Sequence, residues 1–287
     1  MKQRVLVTGR EGFLASRFIE AYNDNYDILA LNRKGLDITD EKQVYELFNN
    51  NDFDIVFHSA AISDTGKCQN EPELAKKINL QGTINIAKGC ELKDSTLIFA
   101  SSDQLYAGNE EEGPYDENII VRPNNVYGFT KLDAENQIKN ILEKYYNLRL
   151  TWMFSYAERN KKVNTNIITN ILNAALKGQK ISLATNEYRG ISYVYEVIEN
   201  MEKLMEIPFG DYNYGSENDI CTYDLGCSVL KNIGLSDRID DIIIKDTERF
   251  KDKKRDLRIS NKKLRKNGIF FDSTEKAIER CIKEFNR

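Results

Sequence analysis

Several residue types that often carry enzyme chemistry are scarce in this chain of 287 residues. His58 is the only histidine, which argues against a histidine-based triad or a histidine metal site and favours a packed or backbone-bonded imidazole. The five cysteines are odd in number and lack the close pairs that zinc sites and redox motifs require. We expect reduced thiols that pack as small buried hydrophobes, at Cys68, Cys90, Cys221, Cys227 and Cys281.

Long apolar runs are also absent. No uninterrupted stretch approaches the ~18 apolar residues that a membrane-spanning helix needs, and the first apolar segment meets a glycine turn too early to form a signal-peptide core. The 41 basic and 45 acidic residues leave a formal net charge of -4, which points neither to nucleic acid nor to an anionic membrane. We therefore expect a soluble, cytoplasmic protein that binds neither of them.

The sequence does contain a regular alternation of short apolar strands and helical stretches. Strands are predicted at 4–8, 27–31, 54–58, 96–100 and 148–154. Apolar residues at helical spacing fill 13–23, 41–49, 73–92 and 127–146. Strands joined by helical crossovers predict an α/β fold, a Rossmann-like doubly wound parallel sheet with a smaller C-terminal substrate-binding lobe.

The rhythm changes after Phe154. A polar segment leads to a helix-like stretch at 166–177, a strand near 181–184 and another helix around 194–205. We predict an NAD(P)-binding domain at 1–156 and a substrate-binding lobe at 157–287. The stretch at about 191–205 is expected to pack back on the first domain.

The turn between the first strand and the first helix has the glycine pattern of a dinucleotide site: Thr8-Gly9-Arg10-Glu11-Gly12-Phe13-Leu14-Ala15. Gly9 permits the tight turn, and Gly12 lets backbone N–H groups approach an anion at the helix N-terminus. The turn is predicted to cradle the pyrophosphate of a nicotinamide cofactor. Its predicted contacts are Gly9, Arg10, Glu11, Gly12, Phe13 and Leu14.

Cofactor choice depends on the end of the second strand. NAD-binding units place an acidic residue there, whereas this chain has Asn32-Arg33-Lys34. Arg33 and Arg10 could pair with a 2'-phosphate or simply face solvent, so NADPH is favoured and NADH stays possible. Further cofactor contacts are predicted at Asn32, at Asp37 and Ile38 beside the adenine, and at the small residues Ser59, Ala60 and Ala61.

A candidate reactive group follows the fourth strand. Ser102-Asp103-Gln104 ends that strand, and Tyr127 and Lys131 lie four residues apart at the start of the next helix, so they share one face. The spacing alone is weak in a chain with 15 tyrosines. Its position at the carboxyl edge of the sheet, where ligands of open α/β sheets bind, makes it informative.

In combination, these motifs make the sequence resemble the extended short-chain dehydrogenase/reductase family, and within it the dTDP-4-dehydrorhamnose reductase (sugar nucleotide-binding) branch. The likeness extends through Asn79 and Asn166 to 257–264 and so covers nearly the whole chain. It implies an oxidoreductase of dTDP-rhamnose biosynthesis type that reduces a nucleotide-linked 4-keto-6-deoxy sugar with NADPH.

The resemblance also implies roles for four residues. Tyr127 would donate a proton to the substrate carbonyl oxygen while the nicotinamide delivers hydride to the carbon. Lys131 would lower the pKa of Tyr127 through its positive charge and hold the nicotinamide ribose. Ser102 would hydrogen-bond the carbonyl oxygen, and Asn79 would support a water path to Lys131.

Other functions on this scaffold differ in particular residues. Sugar-nucleotide dehydratases carry an acidic pair after the catalytic hydroxyl, and Asp103-Gln104 lacks the second acid. NAD-dependent 4-epimerases typically use an acidic second-strand end, which Asn32 does not supply, but an epimerase stays open as an alternative. The second open alternative is a non-catalytic NADP-binding regulatory subunit, as in methionine adenosyltransferase.

The substrate side is the least defined. Candidate contacts with a nucleotide sugar are Ser102, Asp103, Asn166, Arg189, Tyr193 and, for its diphosphate, the basic segment 249–266. For Asn166, Arg189, Tyr193 and 249–266 a structural interpretation is at least as good, and for 249–266 a solvated charged face is favoured. The resemblance suggests a homodimer through the helices at 73–92 and 127–146.

Overall fold

The computed structural model describes residues 2–158, 161 and 163–285. Its strands, in chain order, are β1 (Arg4–Thr8), β2 (Asp27–Leu31), β3 (Ile55–His58), β4 (Thr96–Ser102), β5 (Tyr145–Leu150), β6 (Trp152–Phe154), β7 (Ile181–Ala184), β8 (Glu187–Arg189), β9 (Ile191–Tyr193), β10 (Gly210–Tyr214), β11 (Ile243–Asp246) and β12 (Arg255–Leu257).

The α-helices, in the same order, are α1 (Phe13–Tyr22), α2 (Glu41–Asn49), α3 (Thr65–Asn70), α4 (Pro72–Ala75), α5 (Gly82–Lys93), α6 (Val126–Ile141), α7 (Ile167–Lys177), α8 (Val194–Met201), α9 (Thr222–Asn232), α10 (Ile239–Ile242), α11 (Lys262–Lys266) and α12 (Thr274–Phe285). A π-helical turn, Lys76–Gln81, joins α4 to α5. Among the described residues, no helix combines the length and the apolar character needed to span a membrane.

The chain divides into two compact units. The first comprises Met1–Asn109, Ile120–Leu150 and Met201–Tyr212, and the second comprises Glu110–Ile119, Thr151–Asn200 and Asn213–Arg287. This division differs in detail from the predicted one at 156/157. Residues 110–119 and 151–156 belong to the second unit. Of the stretch 191–205, residues 191–200 lie in the second unit, where β6 pairs with β9, and residues 201–205 lie in the first.

The first unit is built on a six-stranded sheet with the order β10-β5-β4-β3-β1-β2. The pairs β1–β2, β1–β3, β3–β4 and β4–β5 are parallel, which confirms the predicted α/β fold. Because β2 and β3 flank β1 on opposite sides, the carboxyl end of β1 lies at a switch point of the strand order, where open α/β sheets bind ligands. The glycine turn that begins at Gly9 follows directly.

Two predicted element boundaries are wrong in the same region. The helix predicted at 127–146 ends at Ile141, since Leu142 is extended with φ -119° and ψ 141°. The strand predicted at 148–154 is instead two strands, β5 in the first unit and β6 in the second. Pairing of β5 with β4, in which Arg149 lies opposite Ser101, draws Tyr145 and Tyr146 into the sheet.

Each unit has its own apolar core. In the first, buried side chains of the sheet pack against those of α2, α5 and α6, including Leu6, Phe48, Val56, Ile86 and Phe99. In the second, side chains of α7, α9 and α12 pack together, including Ile171, Val229 and Ile278. The buried sheet of the first unit thus provides a rigid base for the residues at its carboxyl edge.

Candidate functional site

The glycine turn adopts a conformation that only glycine accommodates well. Gly9 has φ +76°, and a Cβ atom there would lie 3.0 Å from the backbone nitrogen and Cα of Ala60. The amides of Gly9 and Arg10 donate to the carbonyl oxygen of Leu31, at 3.0 and 3.2 Å. Gly12 is the N-cap of α1 and provides no side-chain cap. The first backbone N–H groups of α1 are therefore not capped by a side chain, and uncapped N–H groups of this kind bind anions.

The predicted cofactor contacts beyond β2 lie beside this turn. Asn32 donates to the Glu11 carboxylate at 2.5 Å. The exposed Arg33 guanidinium, 74% accessible, lies 3.6 Å from the Asp37 carboxylate. Hydrogen bonds from Thr39, and secondarily the charge of Arg33, lower the pKa of Asp37. Arg33 thus reaches the expected edge of the site, with a carboxylate next to it.

The small residues after β3 complete the wall opposite Gly9. The Ser59 hydroxyl donates to the Thr8 carbonyl oxygen at 2.9 Å, and the Ala60 amide donates to the Thr8 hydroxyl at 3.3 Å. Ser59, Ala60 and Ala61 are all half-buried. These two hydrogen bonds therefore join the carboxyl end of β1 to the residues that follow β3.

Ser102, Tyr127 and Lys131 come together in the first unit. Ser102 is the last residue of β4. Asn125 is the N-cap of α6, and its side chain accepts from the Gly128 amide at 2.9 Å. A Cβ atom at Gly128 would lie 2.7 Å from the Gln104 carbonyl oxygen, so glycine lets α6 approach the segment after Ser102 closely. The Ser102 hydroxyl donates to the Asp103 carboxylate at 3.3 Å and accepts from the Gln104 amide at 3.2 Å, and it lies close enough to Tyr127 to affect the pKa of that side chain.

Burial dominates the electrostatics of this group. Tyr127 is 9% exposed and Lys131 only 2%. Burial, with the nearby charge of Asp103, raises the pKa of Tyr127, although the nearby Ser102 hydroxyl opposes this shift. Burial also lowers the pKa of Lys131 to about 8. Both shifts favour the uncharged form of the side chain.

The expected lowering of the Tyr127 pKa by Lys131 is therefore not what the structure shows. The ammonium donates to the Ala100 carbonyl oxygen at 2.8 Å and lies 4.5 Å from the centre of the Phe99 ring. It lies 5.7 Å from the centre of the Tyr127 ring. Its charge is thus directed mainly at a backbone carbonyl and an aromatic face, and the loss of hydration at Tyr127 prevails.

Asn79 lies buried in the π-helical turn and connects this turn to α6. Its side chain accepts from the Ile62 amide at 2.8 Å and donates to the Ile62 carbonyl at 3.0 Å. It also lies 3.2 Å from the Thr130 hydroxyl, which donates to the Tyr127 carbonyl at 2.8 Å. The structure thus brings Asn79 to the first turn of α6. Its part in a water path stays a prediction.

A buried ion pair beneath the site was not anticipated from the sequence. Arg149 on β5 contacts both carboxylate oxygens of Glu135, with Nη2–Oε2 at 2.8 Å and Nε–Oε1 at 3.2 Å. Ser101, next to Ser102, donates to the same carboxylate at 2.6 Å. One available signal was that Glu135 follows Lys131 by four residues on α6 and so shares its face.

The other predicted substrate contacts lie in the second unit and serve its internal structure. The buried Asn166 caps α7 by accepting from the Thr169 amide and donates to the Ser155 carbonyl. The Arg189 guanidinium lies 5.1 Å from the Trp152 ring centre. Tyr193 donates to Glu284 at 2.7 Å. Contact with a substrate stays a prediction for all three.

The basic segment 249–266 forms ion pairs with carboxylates of its own unit. Four of these pairs join Lys254 to Glu112, Arg255 to Glu187, Arg258 to Asp256, and Arg265 to Glu217. Three of the four partners lie outside the segment, which is why its local sequence suggested an unpaired charge run. The pairs fasten the segment to the second unit.

Comparisons with known proteins identify a family and a fold. The sequence profile described as RmlD substrate binding domain matches residues 3–287. A dTDP-4-dehydrorhamnose reductase of Mycolicibacterium smegmatis is 32% identical over 155 residues, 54% of this chain and 47% of that enzyme, so the match spans about half of that relative. Methionine adenosyltransferase 2 subunit beta of Xenopus laevis is 25% identical over 248 residues, 81% of this chain and 73% of that protein.

A solved structure shows the same fold along the whole chain. It is the dTDP-4-dehydrorhamnose reductase of Bacillus anthracis in complex with NADP, with a TM-score of 0.87 and 24% sequence identity. The superposition covers 99% of this chain and 100% of that one. At this identity, the likeness establishes the fold.

Proposed function

The chain belongs to the RmlD substrate binding domain family, and from that premise we propose that it is an NADPH-dependent reductase of a nucleotide-linked 4-keto-6-deoxy sugar. The observation that carries the proposal is the buried group of Ser102, Tyr127 and Lys131 in the unit that also holds the glycine turn.

The glycine turn fits a dinucleotide diphosphate. A side chain at Gly9 would press on Ala60, and α1 begins at Gly12 with no side-chain cap, so backbone N–H groups can approach the phosphates. The exposed Arg33 guanidinium after β2 supports a contact with a 2'-phosphate. When bound, the reduced nicotinamide supplies a hydride to the substrate carbonyl carbon.

The side chains of the chain supply the proton and its positioning. Because burial raises its pKa, Tyr127 is protonated at neutral pH and can donate its hydroxyl proton to the carbonyl oxygen as negative charge develops there. Ser102, which lies near Tyr127 at the end of β4, anchors the same oxygen. Lys131 is mostly charged at neutral pH with a pKa of about 8, and its ammonium can hold the nicotinamide ribose.

The test is consumption of NADPH with a dTDP-linked 4-keto-6-deoxy sugar, followed by nicotinamide absorbance and by product analysis. The wild-type protein should oxidise one NADPH for each sugar reduced. Tyr127→Phe should bind NADPH with unchanged affinity and lose at least about a hundredfold in kcat, since it lacks the acid. Retained turnover in this variant would refute the assigned mechanism.

Tyr146→Phe provides the matched control. Tyr146 is equally buried in the first unit, and its hydroxyl donates to the Ile207 carbonyl oxygen at 2.8 Å. Its loss should cost about 1 kcal/mol of stability and leave kcat unchanged. A protein that binds NADPH without oxidising it would support the alternative of a regulatory subunit, which the match to methionine adenosyltransferase 2 subunit beta favours. Sugar isomerisation without net NADPH consumption would support an epimerase.

The predicted homodimer through 73–92 and 127–146 is part of this proposal. Both predicted helices carry large exposed apolar side chains, Leu92 and Phe129. Sedimentation equilibrium of the wild type and of Phe129→Glu tests it. A dimer that the substitution dissociates supports the interface, and a monomeric wild type refutes it.

A further inference from the structure

The sole histidine lies at the centre of a hydrogen-bond chain that crosses the first unit. His58 is fully buried at the end of β3. Its Nδ1 lies 2.7 Å from the Thr8 hydroxyl, and its Nε2 lies 3.0 Å from the Thr83 hydroxyl. Thr83 in turn donates to the Asn79 carbonyl oxygen at 2.7 Å. Each imidazole nitrogen therefore has one hydroxyl partner.

The partners determine the direction of every bond. Because the Thr83 hydrogen is used on the Asn79 carbonyl, the Thr83 oxygen accepts from His58 Nε2–H. His58 Nδ1 then carries the lone pair and accepts from the Thr8 hydroxyl, whose oxygen accepts from the Ala60 amide. The reverse orientation would give up the bond from Thr83 to Asn79. A neutral imidazole protonated at Nε2 thus satisfies all of these groups.

The surroundings oppose a positive charge on this ring. His58 stacks on Phe99 with ring centres 5.8 Å apart, and the Lys131 ammonium also contacts the Phe99 ring. Burial, and secondarily the charge of Lys131, lower the pKa of His58 to about 3. A protonated ring would also need Thr8 to give up its donation to Nδ1. The imidazole therefore stays neutral over the range in which histidines usually titrate.

The two ends of the chain lie at the two halves of the proposed site. At one end, Ala60 is the residue against which the Gly9 turn packs. At the other end, Asn79 is bonded through Thr130 to the carbonyl oxygen of Tyr127. A continuous series of hydrogen bonds thus joins the glycine turn to the first turn of α6.

We propose that His58 is a positioning residue, a permanently neutral Nε2–H imidazole that holds the cofactor-binding turn in register with Asn79 and Tyr127. This inference deepens the proposed function and rests on it for its kinetic consequence. His58 does not exchange protons with the substrate. Its effect is on the distance and angle between the bound nicotinamide and the tyrosine, to which rates of this kind are sensitive.

The first test uses the untagged wild-type protein labelled with ¹⁵N-histidine, in which one imidazole gives all the signals. We expect the Nε2–H tautomer, with no titration between about pH 5 and pH 8, and a change in the imidazole signals when NADPH is added. A titration in that range, the Nδ1–H tautomer, or unchanged signals at saturating NADPH would each overturn the proposal.

The second test separates positioning from stability. Thr83→Val removes the middle of the chain with little change in shape, and it should lower kcat roughly tenfold while the KM for the keto-sugar changes less than about twofold. Thr83→Ser retains the hydroxyl and should restore kcat. Thr274→Val is the control, because Thr274 is also buried and exchanges two hydrogen bonds with the Ile191 backbone, in the second unit.

Unchanged kcat in Thr83→Val, or an equal loss in Thr274→Val, would refute the kinetic role of the chain. The two proposals fail in different ways. A protein that binds NADPH but reduces no keto-sugar refutes the proposed function, whereas the tautomer of His58 and its response to NADPH still decide the present inference.

Discussion

A buried carboxyl group in the second unit should make the stability of the protein depend on pH. Glu196 on α8 is only 6% exposed. One carboxylate oxygen accepts from the Asp272 amide at 2.6 Å, and the other has no hydrogen-bond partner among the described residues. The neighbouring Arg280 is already engaged by Glu199 and Glu284. The Glu196 carboxylate therefore loses hydration on burial, and no cation is dedicated to its charge.

The size and sign of the effect follow from the pKa. Burial is the main cause that raises the pKa of Glu196 from 4.5 to about 7, and the charges of Asp272 and Glu199 add to it. Between these two values the folded state binds a proton that the unfolded state has released, so stability falls as the pH rises. The full difference of about 2.5 pKa units corresponds to roughly 3 kcal/mol.

Glu196→Gln should remove this dependence while it keeps the acceptor for the Asp272 amide. In urea titrations, the variant should gain about 3 kcal/mol relative to the wild type between about pH 5 and pH 8. Glu279→Gln on α12, an exposed carboxyl, should keep a constant difference from the wild type. The reasoning would be refuted if the difference in free energy of unfolding between Glu196→Gln and the wild type stayed constant over this range. It would also be refuted if the wild type gained stability relative to the variant as the pH rises.

Four further predictions concern the first unit. Arg33→Ala should weaken NADPH binding about tenfold and NADH binding little, as measured by fluorescence titration, and an equal loss for both would exclude a phosphate contact. Gly9→Ala should cost about 1–3 kcal/mol of stability and weaken NADPH binding, because φ is +76° there; an unaffected Kd would contradict the assigned turn. Glu135→Ala leaves Arg149 buried and should lower the free energy of unfolding by roughly 3 kcal/mol, and a loss below about 1 kcal/mol would show that the pair is dispensable. Since the pKa of Lys131 is about 8, kcat/KM should fall as the pH rises through that value, and a flat profile to about pH 9 would argue against a role for the ammonium.

The elements predicted correctly from the sequence are those whose signal is local. Strands β1 to β4 are short apolar runs between polar turns, and the glycine turn after β1 shows the residue types that its geometry needs. The site residues Ser102, Tyr127 and Lys131 could be brought to one edge because parallel strands share an edge. These inferences needed no contact between distant segments.

The parts that were missed depend on such contacts. The residues directly after Ile141 have helix-compatible spacing, and pairing with β4 starts the strand at Tyr145, before the predicted start at 148. Strand β10 joins the sheet beside β5 from about sixty residues farther along the chain. Arg149 lies in a predicted strand, and its own segment gives no sign of the buried partner, Glu135 on α6, with which it pairs.

The pKa values of the site residues also depend on contacts between distant segments, and they change the pH response that we expect of the site. From sequence alone, a tyrosine beside a lysine predicts a lowered tyrosine pKa, and the lone histidine is predicted to be a packed or backbone-bonded residue. Burial reverses the first expectation, because it raises the pKa of Tyr127, and His58 is buried and held neutral in a chain of hydroxyl groups. Lys131, brought to about 8 by the same loss of hydration, is then the member of this group whose charge changes closest to physiological pH. The dependence of the proposed reaction on pH should therefore follow the lysine and be insensitive to the only histidine in the chain.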